Sequence, residues 1–379
     1  METFGKIPLK TTFYSLSLGE RGMKSVKLAL IGCGKAATRH LRIFKELPEV
    51  ALVAVADSDP EKARAFAEEI GAAWYTDWRK MLSEYPEIEV VDIAVPSGMH
   101  GKISLPVMRE FRKNILLEKP ITLNIEEAWE MVQTAEELGL KLVTVFQNRF
   151  NLPVKKVKEI LEKNLLGKIV LASARFYWCR RQDYYDSAAW RGTWALDGGA
   201  LAQQGCHHVD MLRWLMGEVE SVFAKKDTRL VEIEAEDILV GVIRFKNGAL
   251  GTIEATTCAR PKDLGAELVI LGEKGSVKLG GFAMNELAHL ALEDQNLNKE
   301  ELEACRKNPS DPLGFAHREY LRAAMHYFAG EPPDPRLCIG KDAIPSLELI
   351  QALYESAESG TEVKFPFTPE KSRLGKMEG

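Results

Sequence analysis

Val26–Phe44 reads VKLALIGCGKAATRHLRIF, and its three parts decide the fold. The short apolar run Val26–Ile31 suits a strand buried on both faces. Directly after it, Gly32-Cys33-Gly34-Lys35-Ala36-Ala37 forms a G-x-G-x-x-A loop, and a helix-like stretch, Ala37–Leu47, follows. In a strand–loop–helix of this kind Gly32 permits the tight turn and Gly34 lets backbone approach a pyrophosphate. The small Ala37 packs helix against strand, and the helix N-terminus faces the phosphates. Asp57 ends the next apolar run, about 20 residues past the loop, where a carboxylate can accept the adenosine ribose hydroxyls. Ser58, Asp59 and Pro60 come next, with no arginine to accommodate a 2′-phosphate. The stretch predicts a dinucleotide site that takes NAD rather than NADP.

Further strand-type runs lie at Val50–Ala56, Val90–Val95, Asn114–Leu117 and Leu142–Phe146, separated by helix-type stretches Pro60–Ile70, Met99–Phe111 and Ile125–Leu138. This alternation predicts an α/β Rossmann domain, a doubly wound parallel sheet, over residues 24–147. After Phe150 come a helix (Val154–Lys163) and a long strand (Ile169–Trp178), and strand signals then crowd Val219–Leu279. Residues 148–367 are expected to form a second α/β domain around a largely antiparallel open sheet, closed by helices Phe315–Phe328 and Ile344–Ser359. Residues 1–23 read as an extension, with Met23 as an alternative natural start. Glu293–Lys307 reads as a solvated helix or loop, and 368–379 as a loose tail.

Composition narrows the partners. With 46% hydrophobic residues and a net charge of −5, the chain can build a substantial core and shows no global footprint for nucleic acid. No apolar run approaches the ~20 residues of a membrane span. Six cysteines (33, 179, 206, 258, 305 and 338) form no CxxC and no metal-ligand spacing with histidine. They suit reduced thiols in a cytoplasmic protein, with no metal expected.

Two further stretches carry chemistry. Glu118-Lys119-Pro120 follows the fifth strand, at the carboxyl edge where such sheets bind ligands. A residue before proline is barred from the helical region, which sets the direction of Lys119. Pro96, Ser97 and His100, after the preceding strand, are expected to wall the nicotinamide side; His100 reads equally well as a helix-start residue with no chemical role. The expected cofactor contacts are therefore Gly32, Gly34, Ala37, Asp57, Pro96, Ser97, His100, Glu118 and Gln147. The second stretch, GGALAQQGCHHVD (Gly198–Asp210), spaces Gln203, His207 and Asp210 at i, i+4 and i+7, one face of a helix. Just upstream lie RRQDYY (Arg180–Tyr185) and WRGTW (Trp190–Trp194). Arg149, Arg180 and Arg191 are candidates for an anionic substrate, with Tyr184, Trp190 and Gln203 beside it. The plain alternative is an exposed loop with a few core aromatics.

Together the GCGKAA loop, Asp57, VPSGMH, EKP and the GG-x-L-x-x-x-G-x-H-x-x-D stretch resemble the Gfo/Idh/MocA oxidoreductases, from about Lys24 to Phe365. That resemblance implies hydride transfer between NAD(P) and sugars or polyols, and an open sheet used for oligomerisation, as a homodimer or homotetramer. FQNRFN (Phe146–Asn151), YYDSAAWRGTWALDGGALAQQGCHHVD and FKNGALGTIEATTCARPKD are similar to the subgroup that oxidises the 3-hydroxyl of UDP-N-acetylglucosaminuronate for surface polysaccharide. It implies NAD, a UDP-sugar substrate and, in some relatives, 2-oxoglutarate as a hydride acceptor. The wider family often carries aspartate where this chain has Gln203, so the division of labour between Lys119 and His207 is open. Removing a hydroxyl proton suits a base titrating near the working pH. His207 is expected to take the proton, directly or through Lys119, while Lys119 polarises the forming carbonyl. Two alternatives stand beside this: another sugar or polyol oxidoreductase, and a non-catalytic sensor of NAD or sugar, against which the presence of both Lys119 and His207 argues.

Overall fold

The computed structural model describes residues 25–293, 299–306 and 314–376; the extension before residue 25, with the question of Met23, lies outside them. The first sheet is built from β1 (Val26–Ile31), α1 (Lys35–Phe44), β2 (Val50–Ala56), α2 (Pro60–Ile70), β3 (Ala73–Tyr75), α3 (Trp78–Glu84), β4 (Val90–Ile93), α4 (His100–Phe111), β5 (Asn114–Leu117), α5 (Ile125–Leu138) and β6 (Leu142–Thr144). Strands run β6-β5-β4-β1-β2-β3, all parallel, with Leu28 of β1 opposite Val90 of β4 and Val26 opposite Val50 of β2. The order reverses between β1 and β4, the switch point where such sheets bind ligands. Local chemistry sets the helix starts. Asp59 accepts from the Glu61 and Lys62 amides ahead of α2, and Asn124 accepts from the Glu127 amide ahead of α5.

The chain continues through α6 (Leu152–Glu162), β7 (Ile169–Tyr177), α7 (Gln182–Asp186), a π-turn at Ala200–Gln204, α8 (Cys206–Met216), β8 (Val219–Asp227), β9 (Ile238–Phe245), β10 (Leu250–Thr256), β11 (Gly265–Gly272), β12 (Gly275–Gly280), β13 (Glu286–Leu292), α9 (Lys299–Arg306), α10 (Gly314–Phe328), β14 (Cys338–Ile339), α11 (Ile344–Ser359) and β15 (Val363–Lys364). The second sheet is ordered β13-β12-β11-β7-β10-β9-β8-β15 and is antiparallel except where β7 meets β10. Along β9, buried Leu239, Ile243 and Phe245 alternate with exposed Val240 and Val242, as expected of a sheet with one covered and one open face.

The α/β fold class holds, with four differences in detail. β3 and α3 escape the sequence reading because Ala73–Tyr75 is too short to show a period. Helix α10 and β14 do not stay with the second sheet. Tyr320, Leu321, Ala324 and Met325 pack with Val26, Leu28, Phe44 and Val143, and β14 pairs antiparallel with β6. The expected 148–367 unit thus sends a segment back to complete the first sheet. The π-turn interrupts the helix expected through Gly198–Asp210, so α8 begins only at Cys206. Lastly, the described part of the tail is docked: one oxygen of Glu355 accepts from the backbone amides of Glu370, Lys371 and Ser372 at 2.9, 2.7 and 2.8 Å. Ser372 Oγ donates to Gln351 at 2.6 Å, and Leu374 is buried. Of the charged stretch 293–307, α9 is a helix in which Cys305 is buried, and residues 294–298 and 307 lie outside the described residues.

Leu374→Ala is expected to lower unfolding free energy by about 2–3 kcal/mol, the cost of emptying a buried leucine site. Denaturant midpoints measure it; an unchanged midpoint would show that the tail contributes nothing to the core.

Candidate active site

The loop after β1 has the geometry its glycines imply. Gly32 has φ +94°, and a Cβ there would lie 2.6 Å from the Ala94 carbonyl oxygen. A Cβ on Gly34 would meet nothing within 4 Å, so this backbone is open to an approaching ligand. Ala37 is fully buried among Leu30, Cys33, Val55 and Ala67. Asp57 accepts from the amides of Cys33 and Asp59 at 2.7 and 2.9 Å, which places its carboxylate at the end of β2 against the loop. Pro96 and Ser97 lie just past β4, and the Gly98 amide next to them donates to Leu196 at 3.0 Å, docking this loop on the second half of the chain.

Lys119 extends from the end of β5 to the π-turn. Its Nζ donates to the backbone oxygen of Gln203 at 2.7 Å and to the side-chain Oε1 of Gln203 at 2.8 Å. The π-turn is clamped from behind. Ala200 N donates to the Glu236 carbonyl, Leu201 N to Glu236 Oε1 at 2.9 Å, and Ala202 N to the Tyr354 hydroxyl. A Cβ on Gly199 would lie 1.9 Å from Glu236 Oε2, which explains the second of the paired glycines. His207, in the first turn of α8, sits 3.2 Å by Nε2 from the amide nitrogen of Gln147, while its Nδ1 is enclosed without a partner. Burial, and then the charge of Lys119, hold the His207 pKa well below its usual value, so the ring is neutral and able to accept.

Several expected contacts belong instead to the scaffold. His100 is fully buried, with Nδ1 2.7 Å from the Pro120 carbonyl and Nε2 3.0 Å from that of Val95. It ties together the loops after β4 and β5, and does not present itself to a cofactor. Glu118 likewise turns inward, 3.1 Å from His40 Nε2, while His40 Nδ1 is 2.8 Å from Asp92. Burial opposes charge on His40, but Asp92 and then Glu118 outweigh it and raise its pKa to about 10. Burial also opposes charge on Glu118, and His40 overcomes it, holding that carboxyl well below the usual range. Ligand-type atoms of His40, Glu118 and His317 lie within 4.8 Å of one another, and the direct imidazole–carboxylate contact accounts for that grouping. Arg149 was expected at the substrate; it is buried and forks onto Asp210, with Nε to Oδ2 at 2.9 Å and Nη2 to Oδ1 at 2.5 Å. Ser346 Oγ adds a bond to Asp210 at 2.9 Å. This pair braces α8 beneath His207.

The aromatic-arginine segment meets the cofactor loop. Tyr184 has Lys35 Nζ 6.0 Å, Arg180 5.5 Å and Arg191 4.4 Å from its ring centroid. Its hydroxyl accepts from Gln204 Nε2 at 2.7 Å and from Arg191. Arg191 also lies 4.5 Å from the Trp190 ring, and Arg180 pairs with Asp263 at 3.2 Å. Lys35 and Gln204 were not singled out from sequence, although Lys35 stands inside the G-x-G-x-x-A loop. His208 stacks on Phe176, Trp178 lies tilted against the same ring, and Cys206 is fully buried.

His40→Leu leaves Asp92 and Glu118 buried without their cation, and is expected to cost about 3–5 kcal/mol of stability. Because the folded pKa of His40 is raised from 6.5 to about 10, its contribution is complete below pH 6.5 and is lost as pH rises towards 10. Unfolding of wild type and variant at pH 6.5 and 10 measures this; an equal gap at both pH values would contradict it.

Residues 26–146 match the oxidoreductase family NAD-binding Rossmann fold, and residues 154–278 the GFO/IDH/MocA C-terminal domain. The WlbA dehydrogenase of Bordetella pertussis, solved with NADH and UDP-GlcNAcA, is 32% identical over 91% of this chain and 99% of its own, with a TM-score of 0.87. The WlbA dehydrogenase of Chromobacterium violaceum, solved with the same two ligands, is 34% identical over 93% and 99%, with a TM-score of 0.85. Levoglucosan dehydrogenase of Pseudarthrobacter phenanthrenivorans is 26% identical over 89% of this chain and 91% of its own. No helix among the described residues is long and apolar enough to cross a membrane. With both of its halves matched, the chain belongs to the Gfo/Idh/MocA family and is an NAD-dependent oxidoreductase acting on a CH–OH group.

Proposed function

We propose that the protein oxidises the 3-hydroxyl of a UDP-linked N-acetylglucosaminuronate, a step in making sugars for surface polysaccharide. The observation that carries this reading is the cationic cluster on Tyr184, where Lys35, Arg180 and Arg191 gather on one ring whose hydroxyl accepts from Gln204, the neighbour of Gln203. A neutral monosaccharide gives such a cluster nothing to bind, whereas a nucleotide diphosphate or a uronate carboxylate does. The two WlbA relatives, solved with UDP-GlcNAcA, support the same substrate class.

NAD, when bound, supplies the hydride acceptor; Gly32, Gly34, Ala37 and Asp57 would hold it, with Pro96 and Ser97 beside it. The chain's own residues handle the proton and the oxygen. His207 Nε2, unprotonated, gives up the Gln147 N–H it accepts from and takes the hydroxyl proton in its place. Lys119, a donor of three hydrogen bonds, has one left for the substrate oxygen after serving both oxygens of Gln203, and stabilises the charge that develops there. The open face of the second sheet, with Phe223, Val240 and Val242 exposed, is the surface proposed for a homodimer or homotetramer. A cytoplasmic location and 2-oxoglutarate as a second hydride acceptor belong to the same reading.

A second reading, a dehydrogenase for an uncharged sugar, is favoured by the engagement of Arg180 with Asp263 and by the levoglucosan dehydrogenase relative. Turnover separates the two. UDP-N-acetylglucosaminuronate with NAD should give the 3-keto sugar, and UDP-N-acetylglucosamine, which lacks the carboxylate, should not. Product that forms only when 2-oxoglutarate is added would mean that NADH is recycled in place. His207→Asn should lower kcat by at least about 10²-fold. Oxidation of uncharged sugars alone would establish the second reading, and near-wild-type turnover by the variant would remove His207 from the reaction.

A further inference from the structure

Ala200, Leu201 and Ala202 open the π-turn, and the first amides of any helical turn have no partner inside it. All three are satisfied by two residues from other elements. Glu236, in the loop before β9, offers its backbone oxygen to Ala200 N at 2.9 Å and its side-chain Oε1 to Leu201 N at 2.9 Å. Tyr354, in α11, accepts from Ala202 N at 3.2 Å and donates to the same Oε1 at 2.8 Å. Both side chains are buried, and Trp194 packs edge-on to the Tyr354 ring at 5.3 Å between centroids. At the far end of the turn, Gly205 N reaches back to the Ala200 carbonyl at 2.8 Å, a bond that spans five residues. The Gln203 carbonyl lies between these anchors and accepts from Lys119 Nζ at 2.7 Å.

We propose that Glu236 and Tyr354 are positioning residues for Lys119: by holding three successive amides, they keep the π-turn in the register that offers the Gln203 backbone oxygen to the ammonium. In a plain α-helix that oxygen would accept from the amide four residues on, that of His207, and would be withdrawn from Lys119. Oε1 of Glu236 serves two donors, so the clamp needs an oxygen at this place rather than a charge. Burial raises the Glu236 carboxyl to about 7, the Leu201 amide and the Tyr354 hydroxyl opposing it, and Oε1 can accept on either side of that value. The proposal rests on the reading of Lys119 as a group that acts on the substrate oxygen, but the contact it concerns exists without substrate.

Trace acetylation by acetic anhydride at pH 8, read by peptide mass spectrometry, tests it on the full chain. Labelling of Lys119 is compared with that of exposed Lys102 and of Lys156, whose side chain Glu159 and Glu301 hold at 15% exposure. Tyr354→Phe removes the acceptor of Ala202 N. It should raise Lys119 labelling about tenfold, the worth of one hydrogen bond to a charged group. Lys156 should change less than about twofold and NAD affinity should stay constant, while kcat on UDP-N-acetylglucosaminuronate falls at least about tenfold. Glu236→Asp draws the oxygen back from Leu201 N and should act in the same way. Glu236→Gln keeps an oxygen for both donors and should recover labelling and kcat to within about threefold of wild type. A merely structural pair would raise Lys156 together with Lys119. That result, unchanged Lys119 labelling, or a Glu236→Gln as impaired as Glu236→Asp, overturns the proposal. Should Tyr354→Phe fail to fold, shown by its circular dichroism, the two Glu236 variants decide by the same criteria. If the substrate reading is wrong, the wild type turns over no UDP-sugar while the labelling pattern stands.

Discussion

The contact between Lys119 and Gln203 joins the two halves of this molecule at the place where chemistry would occur. An ammonium in a half-buried seam needs acceptors, and Lys119 finds two on one residue, at 2.7 and 2.8 Å. Each partner is held by its own sheet. Lys119 stands at the end of β5, in the centre of the parallel sheet, while Gln203 sits in a π-turn fastened by Glu236 and Tyr354. A single α-helix through Gly198–Asp210 would put a different register behind Gln203. The π-turn, a form that recurs at functional sites, lets the residue turn its backbone oxygen as well as its side chain towards the lysine.

Charge behind the Lys119–Gln203 contact is held in buried groups of opposite sign. The His40 imidazole stands between Asp92 and Glu118 beneath the loop after β5, and Arg149 neutralises Asp210 beneath α8. Both sets are buried, and burial makes them costly to break. Between them His207 is neutral, depressed by burial and by the lysine. Two dehydrated ion-pair groups thus support one lysine and one neutral imidazole, an arrangement that suits proton removal from an alcohol followed by stabilisation of the oxygen left behind.

Much of the fold is legible in the sequence because buried parallel strands leave continuous apolar runs and their glycine loops are short. Val26–Ile31, Asn114–Leu117 and Ile125–Leu138 fall on elements with the same bounds. The return of α10 and β14 to the first sheet is not legible, since an amphipathic helix does not name the surface that covers it. For the site, the motif residue Lys119 reaches Gln203, one turn before His207, within the stretch the sequence singles out. The errors share one cause: Arg149, His100 and Glu118 are polar residues in motif-rich stretches, and sequence cannot tell a polar group facing a cleft from one paired inside the core. Asp210 is the partner that turns Arg149 inward, at a separation of 61 residues.

The central claim is that hydride leaves carbon 3 of the sugar at this seam. UDP-N-acetylglucosaminuronate carrying deuterium only at carbon 3, turned over once with unlabelled NAD, tests it most directly through the mass of the reduced nicotinamide. The account predicts NADH heavier by one deuterium and a keto sugar that has lost it. Unlabelled NADH with deuterium kept in the sugar product would place the oxidation at another carbon and contradict the account.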